Sequence, residues 1–133
     1  MQTATAVVER DAETCWRLFI DPALLTSWVP GLRRAQVITK VRGLPEEVHF
    51  EFASSHAYTL IYRYDREQRE VHWTPKLGKR DAVAGFVRFE PEGAKTRITY
   101  AIEQGDGRTA AERALGDPEP VLAAFAAHVA GAR

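Results

Sequence analysis

Between residues 47 and 104, apolar and polar side chains alternate with a period of two in five consecutive runs, separated by short polar connectors. Successive side chains of a β-strand point to opposite faces of a sheet, so each run predicts a strand with one buried face. Five such strands in succession predict an antiparallel meander. The large side chains predicted to share its buried face are Phe50, Phe52, Tyr58, Leu60, Tyr62, Tyr64, Val71, Trp73, Val87, Phe89, Ile98, Tyr100 and Ile102.

Two further details of the meander follow from the same pattern. We expect His49, His72 and Thr99 on the outer face, because a strand that buries its neighbours must turn these side chains away. Gly85 interrupts the fourth run. Since glycine inside a strand commonly marks a bulge or a bend, we expect one of these at Gly85.

The segment before the meander predicts two short helices. Asp11 is a good N-cap, and apolar side chains recur at helical spacing from Ala12 to Ile20. Pro22 ends this helix, because proline lacks an N–H and its ring clashes with the preceding turn. It can open a second, very short helix that stops before Pro30-Gly31. Trp28 is therefore expected at the end of that second helix.

A third helix is predicted near the end of the sequence, from about Pro118 to Ala130. Proline suits the first turn, and Glu119 complements the helix dipole there. The apolar stripe of this helix consists of Val121, Leu122, Phe125 and Val129.

The order of these elements predicts the fold class. Two further strands are predicted at residues 3–9 and 34–41, and residues 42–47 (RGLPEE) are predicted to form a loop. A strand, two helices, about six strands and a long helix are typical of an α+β fold in which a curved sheet wraps around the last helix. We expect residues 1–133 to form a single domain.

Composition excludes several classes of function. Lysine plus arginine and aspartate plus glutamate both number 18, so no basic excess favours nucleic-acid binding. The single cysteine, Cys15, excludes a disulfide framework and a cysteine-based metal site. No secretory signal and no apolar run of about 18 residues is present, which predicts a cytoplasmic protein. No motif for a cofactor, a metal or a known catalytic centre appears, so we predict none of these.

The stretch VVERDAETCWRLFIDPALLTSWVPGL resembles a known family. It contains Cys15-Trp16, Asp21-Pro22 and a tryptophan, Trp28, shortly before Pro30-Gly31. These features, followed later by Trp73, resemble the START/Bet v 1-like (SRPBCC) superfamily and its polyketide cyclase/dehydrase and lipid transport subgroup. The chain departs from that pattern at Arg10-Asp11, where the family often has Ala-Pro.

The resemblance implies a helix-grip fold. In that fold a seven-stranded antiparallel sheet curls around the C-terminal helix and leaves a cavity between them. The two short helices form a V at one end of the sheet, which places Trp28 near one end of the cavity. Trp28 could there serve packing or contact a ligand.

An apolar or aromatic ligand suits the predicted inner surface. The candidate ligand-binding residues are Trp28, Phe50, Phe52, Tyr62, Trp73, Val87, Ile98, Tyr100, Leu122 and Phe125. Tyr62 and Tyr100 are the best polar anchors, because a buried phenol needs a partner. The alternative is that these side chains fill the core and leave no cavity.

The histidines do not predict a catalytic centre. His49 and His72 belong to the outer face, His56 to a hairpin loop, and His128 flanks the apolar stripe of the last helix without a carboxylate partner in the sequence. We therefore predict binding or transport of a hydrophobic small molecule, such as a lipid, a quinone or a polyketide-like aromatic. The alternative is an aromatase/cyclase or dehydratase that uses the same cavity. A homodimer is left open as the oligomeric state.

Overall fold

The computed structural model describes residues 2–53, 57–76, 84–103 and 118–131. The elements in chain order are β1 (Gln2–Val8), α1 (Ala12–Ile20), a 3₁₀ helix (Pro22–Leu24), α2 (Leu25–Trp28), β2 (Leu32–Val41), β3 (Leu44–Phe52), β4 (Ala57–Asp65), β5 (Glu70–Pro75), β6 (Gly85–Glu92), β7 (Lys95–Ile102) and α3 (Pro118–Gly131). The seven strands form one antiparallel sheet in the order β1-β7-β6-β5-β4-β3-β2. The predicted α+β class and the strand number are confirmed.

The two short helices begin where the sequence predicts. The Asp11 carboxylate accepts a hydrogen bond from the backbone N–H of Thr14 at 3.0 Å and so caps α1. Asp21 caps the 3₁₀ helix in the same way, by accepting from the N–H of Ala23 at 3.0 Å. Trp28 is the last residue of α2 and is buried.

The alternation of the meander predicts most of its buried side chains, but Thr99, expected on the outer face, is half-buried. Trp73 is 5% exposed, whereas its neighbour His72 is exposed to solvent. Phe50 and Phe52 are buried and His49 is only half-buried. His56 lies outside the described residues.

The predicted loop at residues 42–47 is wrong. Strands β2 and β3 are joined by a two-residue turn, Arg42-Gly43, in which both residues have positive φ (51° and 82°). This backbone matches the twist of the strands that it joins. Pro45 does not break β3, because the pairing of β3 with β4 begins only at Glu47. The missing proline N–H is therefore not needed for that ladder.

Of the two alternatives predicted at Gly85, a bulge or a bend, the bulge is wrong. Gly85 pairs with Trp73 on one side and Ile102 on the other, and no register shift interrupts either ladder. A Cβ at this position would collide with the carbonyl oxygen of Ala101 and lie 2.9 Å from the Trp73 ring. Glycine is required here by close approach of the neighbouring strands, not by a change in pairing.

The C-terminal helix α3 lies against the inner face of the sheet. Phe125 of α3 contacts Phe19 of α1 (ring centroids 5.3 Å apart), Trp28 of α2 (4.9 Å) and Phe89 of β6 (6.0 Å). The predicted stripe of Val121, Leu122, Phe125 and Val129 is buried. The prediction of a sheet that curves around the last helix is confirmed.

Candidate functional site

The ten residues predicted to line a ligand site all belong to one hydrophobic cluster or pack against it. Eight of them are buried members of the main hydrophobic cluster: Trp28, Phe50, Phe52, Trp73, Val87, Ile98, Leu122 and Phe125. The other two, Tyr62 and Tyr100, are half-buried and pack against that cluster. The concave face of the sheet, together with α1, α2 and α3, therefore brings every candidate side chain to one region.

Phe19 of α1 is central to this region, although the sequence did not indicate it as a site residue. Its ring contacts Trp28 (5.5 Å), Trp73 (6.1 Å) and Phe125 (5.3 Å). The helical spacing of α1 correctly predicts that Phe19 is buried. That spacing cannot predict which side chains of other elements meet it.

Three tyrosines converge on the concave face. Tyr58 and Tyr62 lie four residues apart on β4, and Tyr100 lies on β7. Burial raises the pKa of all three phenols above the ordinary value, and the nearby phenols Tyr58 and Tyr100 raise the pKa of Tyr62 further. The alternating pattern of β4 predicts that Tyr58 faces inward, so the sequence alone could have identified it as a candidate site residue.

The hydroxyls of Tyr62 and Tyr100 differ from that of Tyr64. Tyr64 donates its hydroxyl hydrogen to the carbonyl oxygen of Pro45 at 2.6 Å, as a tyrosine with a structural role does. No hydrogen bond joins the hydroxyl of Tyr62 or Tyr100 to another described residue. Both side chains are desolvated enough to raise their pKa, yet each keeps some accessible surface. Tyr62 borders both a narrow gap and a wider groove.

Two more polar atoms of this region lack partners among the described residues. They are Nε1 of Trp28 and Nε2 of His128, and both atoms are buried. The two rings flank Phe125, with centroids 4.9 Å and 6.5 Å from it. Buried donors and acceptors are nearly always satisfied, so both atoms call for a partner that the described residues do not supply.

Two spaces of different volume lie on either side of the Tyr62 side chain. Toward α1 and the 3₁₀ helix, a narrow gap has about 10 Å³ open to the centre of a water molecule. This is about the space needed for one water. Between the tips of the β2–β3 and β4–β5 hairpins, a wider groove of about 520 Å³ reaches Tyr62 from outside.

Charge is concentrated on the outside of the described structure. The Glu70 carboxylate accepts from Nε of Arg88 at 2.8 Å on the outer face of the sheet. Within residues 2–53, 57–76, 84–103 and 118–131, no group of three or more His, Cys, Asp or Glu side chains could hold a metal ion. Over the same ranges, no helix is long and apolar enough to cross a membrane.

Comparison with known families agrees with this arrangement. The sequence profile described as "Polyketide cyclase / dehydrase and lipid transport" matches residues 2–130. The chain belongs to this family. The fold of the polyketide cyclase/dehydrase and lipid transport family is one that binds hydrophobic ligands, and the resemblance seen in the sequence is confirmed. No curated protein sequence matches the chain significantly.

Solved structures of similar fold span nearly the whole chain. A START superfamily protein from Mycobacterium smegmatis is 13% identical, with a TM-score of 0.73, over 98% of this chain and 94% of its own. A protein from Thermus thermophilus is 16% identical, with a TM-score of 0.73, over 96% and 94%. The Zhui aromatase/cyclase from a Streptomyces species is 15% identical, with a TM-score of 0.72, over 98% and 90%. At these identities the similarity shows a common helix-grip fold.

Proposed function

We propose that this member of the family binds a hydrophobic, aromatic small molecule on the concave face, between the sheet and α3, and carries it without chemical change. The proposed ligand contacts are the ten side chains predicted from the sequence: Trp28, Phe50, Phe52, Tyr62, Trp73, Val87, Ile98, Tyr100, Leu122 and Phe125. The protein's location in the cell, its oligomeric state and its indifference to nucleic acid remain predictions.

One observation carries the proposal. Tyr62 and Tyr100 are half-buried on an apolar surface and their hydroxyls have no hydrogen bond to a described residue, although the hydroxyl of Tyr64 on the same strand as Tyr62 has one. A core filled by its own side chains normally gives a buried phenol a partner. Unpartnered phenols support a surface that a ligand completes.

The expected affinity is modest. Burying about 300 Å² of apolar ligand surface gains about 7 kcal/mol. Loss of translational and rotational freedom costs about 4 kcal/mol or more. Hydrogen bonds from the phenols to the ligand, each worth about 1 kcal/mol, therefore decide a large part of the net affinity.

The neutral fluorescent probe N-phenyl-1-naphthylamine tests the proposal. We expect it to bind at one saturable site per chain and to shift the indole N–H signals of Trp28 and Trp73 in two-dimensional ¹⁵N NMR spectra, because both rings belong to the proposed site. Trp16 is the internal control, since it is not one of the proposed contacts and its ring packs against Tyr64 (centroids 5.9 Å apart). Its signal should move least.

The result that contradicts the proposal is equally specific. The exposed apolar side chains Val7, Ile38 and Val41 could adsorb the same probe on the outside of the protein. In that case fluorescence rises without a shift in any indole signal.

Native mass spectrometry of protein purified from its own host should, in addition, reveal a small molecule that is retained without a covalent bond.

His128 supports a second candidate, an aromatase/cyclase or dehydratase. Its Nε2 is buried and has no partner within the described part of the chain, so a ligand's proton could be exchanged there. The described residues supply no carboxylate that orients the imidazole, which favours the carrier.

We expect His128→Ala to change the affinity for N-phenyl-1-naphthylamine by less than about twofold, because the imidazole flanks the proposed contacts and is not one of them. Probe titrations of the wild type and the variant measure this directly. Incubation with the compound found by native mass spectrometry provides the decisive assay. Turnover of that compound, abolished by His128→Ala while binding survives, would replace the carrier with the enzyme.

A further inference from the structure

The ladder between β3 and β4 is shorter than the hairpins on either side of it. Pairing of β3 with β4 ends at Glu47 and Ile61. The β2–β3 hairpin continues beyond that point to its turn at Arg42-Gly43, and the β4–β5 hairpin continues to the pair of Asp65 and Glu70. The two hairpin ends therefore have no ladder between them, and both line the groove of about 520 Å³.

The two hairpin ends are anchored differently. At the β4–β5 end, the N–H of Phe89 on β6 donates to the carbonyl oxygen of Arg69 at 3.0 Å, and Nε of Arg69 lies 3.6 Å from the carboxylate of Glu13 on α1. The β2–β3 end has no neighbouring strand on its other side, because β2 is an edge strand of the described sheet. We call residues 40–46 of this end the flap. The β4–β5 end is thus the fixed wall of the groove, and the flap is the wall that can move.

The flap begins where the β2–β3 ladder is irregular. Register shifts lie on both sides of the pair formed by Thr39 and Glu47. The hydroxyl of Thr39 accepts from the N–H of Glu47 at 3.2 Å and donates to the carboxylate of Glu46 at 3.1 Å. Such irregularities bend a strand. The bend therefore coincides with the end of the β3–β4 pairing, which makes Thr39 and Glu47 a natural pivot.

One hydrogen bond ties the flap to the fixed wall. The hydroxyl of Tyr64 donates to the carbonyl oxygen of Pro45 at 2.6 Å. The charged side chains that line the groove are Arg42 and Glu46 on the flap, and Arg63, Asp65, Arg66 and Glu67 on the fixed wall. Within the described ranges no ion pair joins the two walls, and the three arginines have no partner. The bond between Tyr64 and Pro45 is therefore the polar latch of the flap.

The latch separates the groove from the interior. Tyr62 and Tyr64 line both the groove and the narrow gap toward α1. On the inner side, the ring centroids of Tyr62 and of Phe19 lie 6.2 Å and 6.1 Å from that of Trp73, a proposed ligand contact. Movement of Pro45 away from Tyr64 would widen the gap into a passage from the groove to the concave face.

We propose that the flap is a gate, which pivots at Thr39 and Glu47, is latched by the bond between Tyr64 and Pro45, and opens the route by which a hydrophobic ligand enters and leaves. The role as a ligand gate rests on the function proposed above, whereas the movement of the flap does not. A ligand crosses only while the latch is open, and one open state serves entry and exit. Weakening the latch therefore speeds both steps and leaves the affinity nearly unchanged.

Stopped-flow fluorescence with N-phenyl-1-naphthylamine measures the two rates. We expect Tyr64→Phe to raise the association and dissociation rate constants together by about threefold to tenfold, because one hydrogen bond no longer holds the flap closed. The dissociation constant should stay within about twofold. Arg97→Gln is the control at another hairpin: it removes the bond from Nε of Arg97 to Glu92 (2.6 Å) between β6 and β7, and both rates should stay within about twofold. Unchanged rates in Tyr64→Phe would overturn the latch.

A reversible cross-link tests the route itself. Val41→Cys and Glu67→Cys place one thiol on each wall, since both side chains are exposed and line the groove. The native Cys15 is buried. A short bis-methanethiosulfonate joins the two new thiols through disulfides that dithiothreitol cleaves. We expect the joined protein to bind and release the probe at least about tenfold more slowly and to recover on cleavage. Equally fast exchange before and after cleavage would place the entrance elsewhere and leave the proposed binding function intact.

Nitroxide labels on the same two cysteines follow the flap without any ligand. Double electron–electron resonance should show longer or more widely spread distances between the labels after Tyr64→Phe than before it. If N-phenyl-1-naphthylamine does not bind, the proposed function and the role of the gate fail together, and the label distances still report the movement of the flap. Equal distance distributions with Tyr64 and with phenylalanine would overturn that movement as well.

Discussion

Replacing Phe125 with alanine should lower the free energy of unfolding by about 3–5 kcal/mol. Phe125 is 1% exposed, and its ring contacts Phe19, Trp28 and Phe89 from three separate elements. The deletion would leave a cavity between α3 and the sheet that no single neighbour can fill. Since domains of this size are stable by about 5–15 kcal/mol, urea unfolding curves should show a large shift.

Phe86→Ala is the matched control for Phe125→Ala. Phe86 is half-buried on the outer face of β6, where its ring stacks on His72 with centroids 5.4 Å apart. Because Phe86 is only half-buried, its replacement by alanine should lower the free energy of unfolding by only about 1 kcal/mol. Equal losses in the two variants would contradict a core built around α3.

A single unfolding transition would, in addition, support the prediction that residues 1–133 are one domain.

Gly85→Ala should lower the free energy of unfolding by about 3 kcal/mol, the upper end of the usual cost of overpacking. The added methyl group meets the carbonyl oxygen of Ala101, which the β6–β7 ladder holds in place, and the ring of Trp73 at 2.9 Å. Because Trp73 belongs to the proposed ligand site, affinity for N-phenyl-1-naphthylamine should fall as well. Urea unfolding and probe titration measure the two effects.

A second glycine of the same chain provides the control. Gly131 is exposed at the end of α3, and a Cβ there would have no atom within 4 Å. Gly131→Ala should leave stability unchanged or raise it by less than about 1 kcal/mol, because alanine reduces the freedom of the unfolded chain. If Gly85→Ala is as harmless as Gly131→Ala, the close packing of β6 against its neighbours is not what requires glycine.

The sequence alone predicts the class of fold and the inner face of the sheet. A period of two allows only two assignments for a strand, and burial of Phe50 and Phe52 decides between them. Helix boundaries were also predictable where a cap or a proline marks them, as at Asp11 and Pro22. Each of these signals lies within a few consecutive residues, so a single sequence is enough to predict the corresponding element.

The contacts between distant elements were not predictable. Phe19 lies on an apolar helix face like many others, and only the packed fold brings it to Trp28 and Trp73. Pro45 resembles a strand breaker until the extent of the β3–β4 pairing is known. Gly85 resembles a bulge until the position of Ala101 is known. Each of these depends on atoms far away in sequence.

The strand order also fixes the sequence in which the sheet can be completed as the chain is synthesised. Strands β2 to β7 each pair with a neighbour in sequence, so these hairpins need only short loops to close. Among the described strands, β1 pairs with β7 alone, and the pairing of Gln2 with Ile102 closes a loop of about one hundred residues. Of these seven strands, β1 is synthesised first, yet it can pair only after β7 has been made.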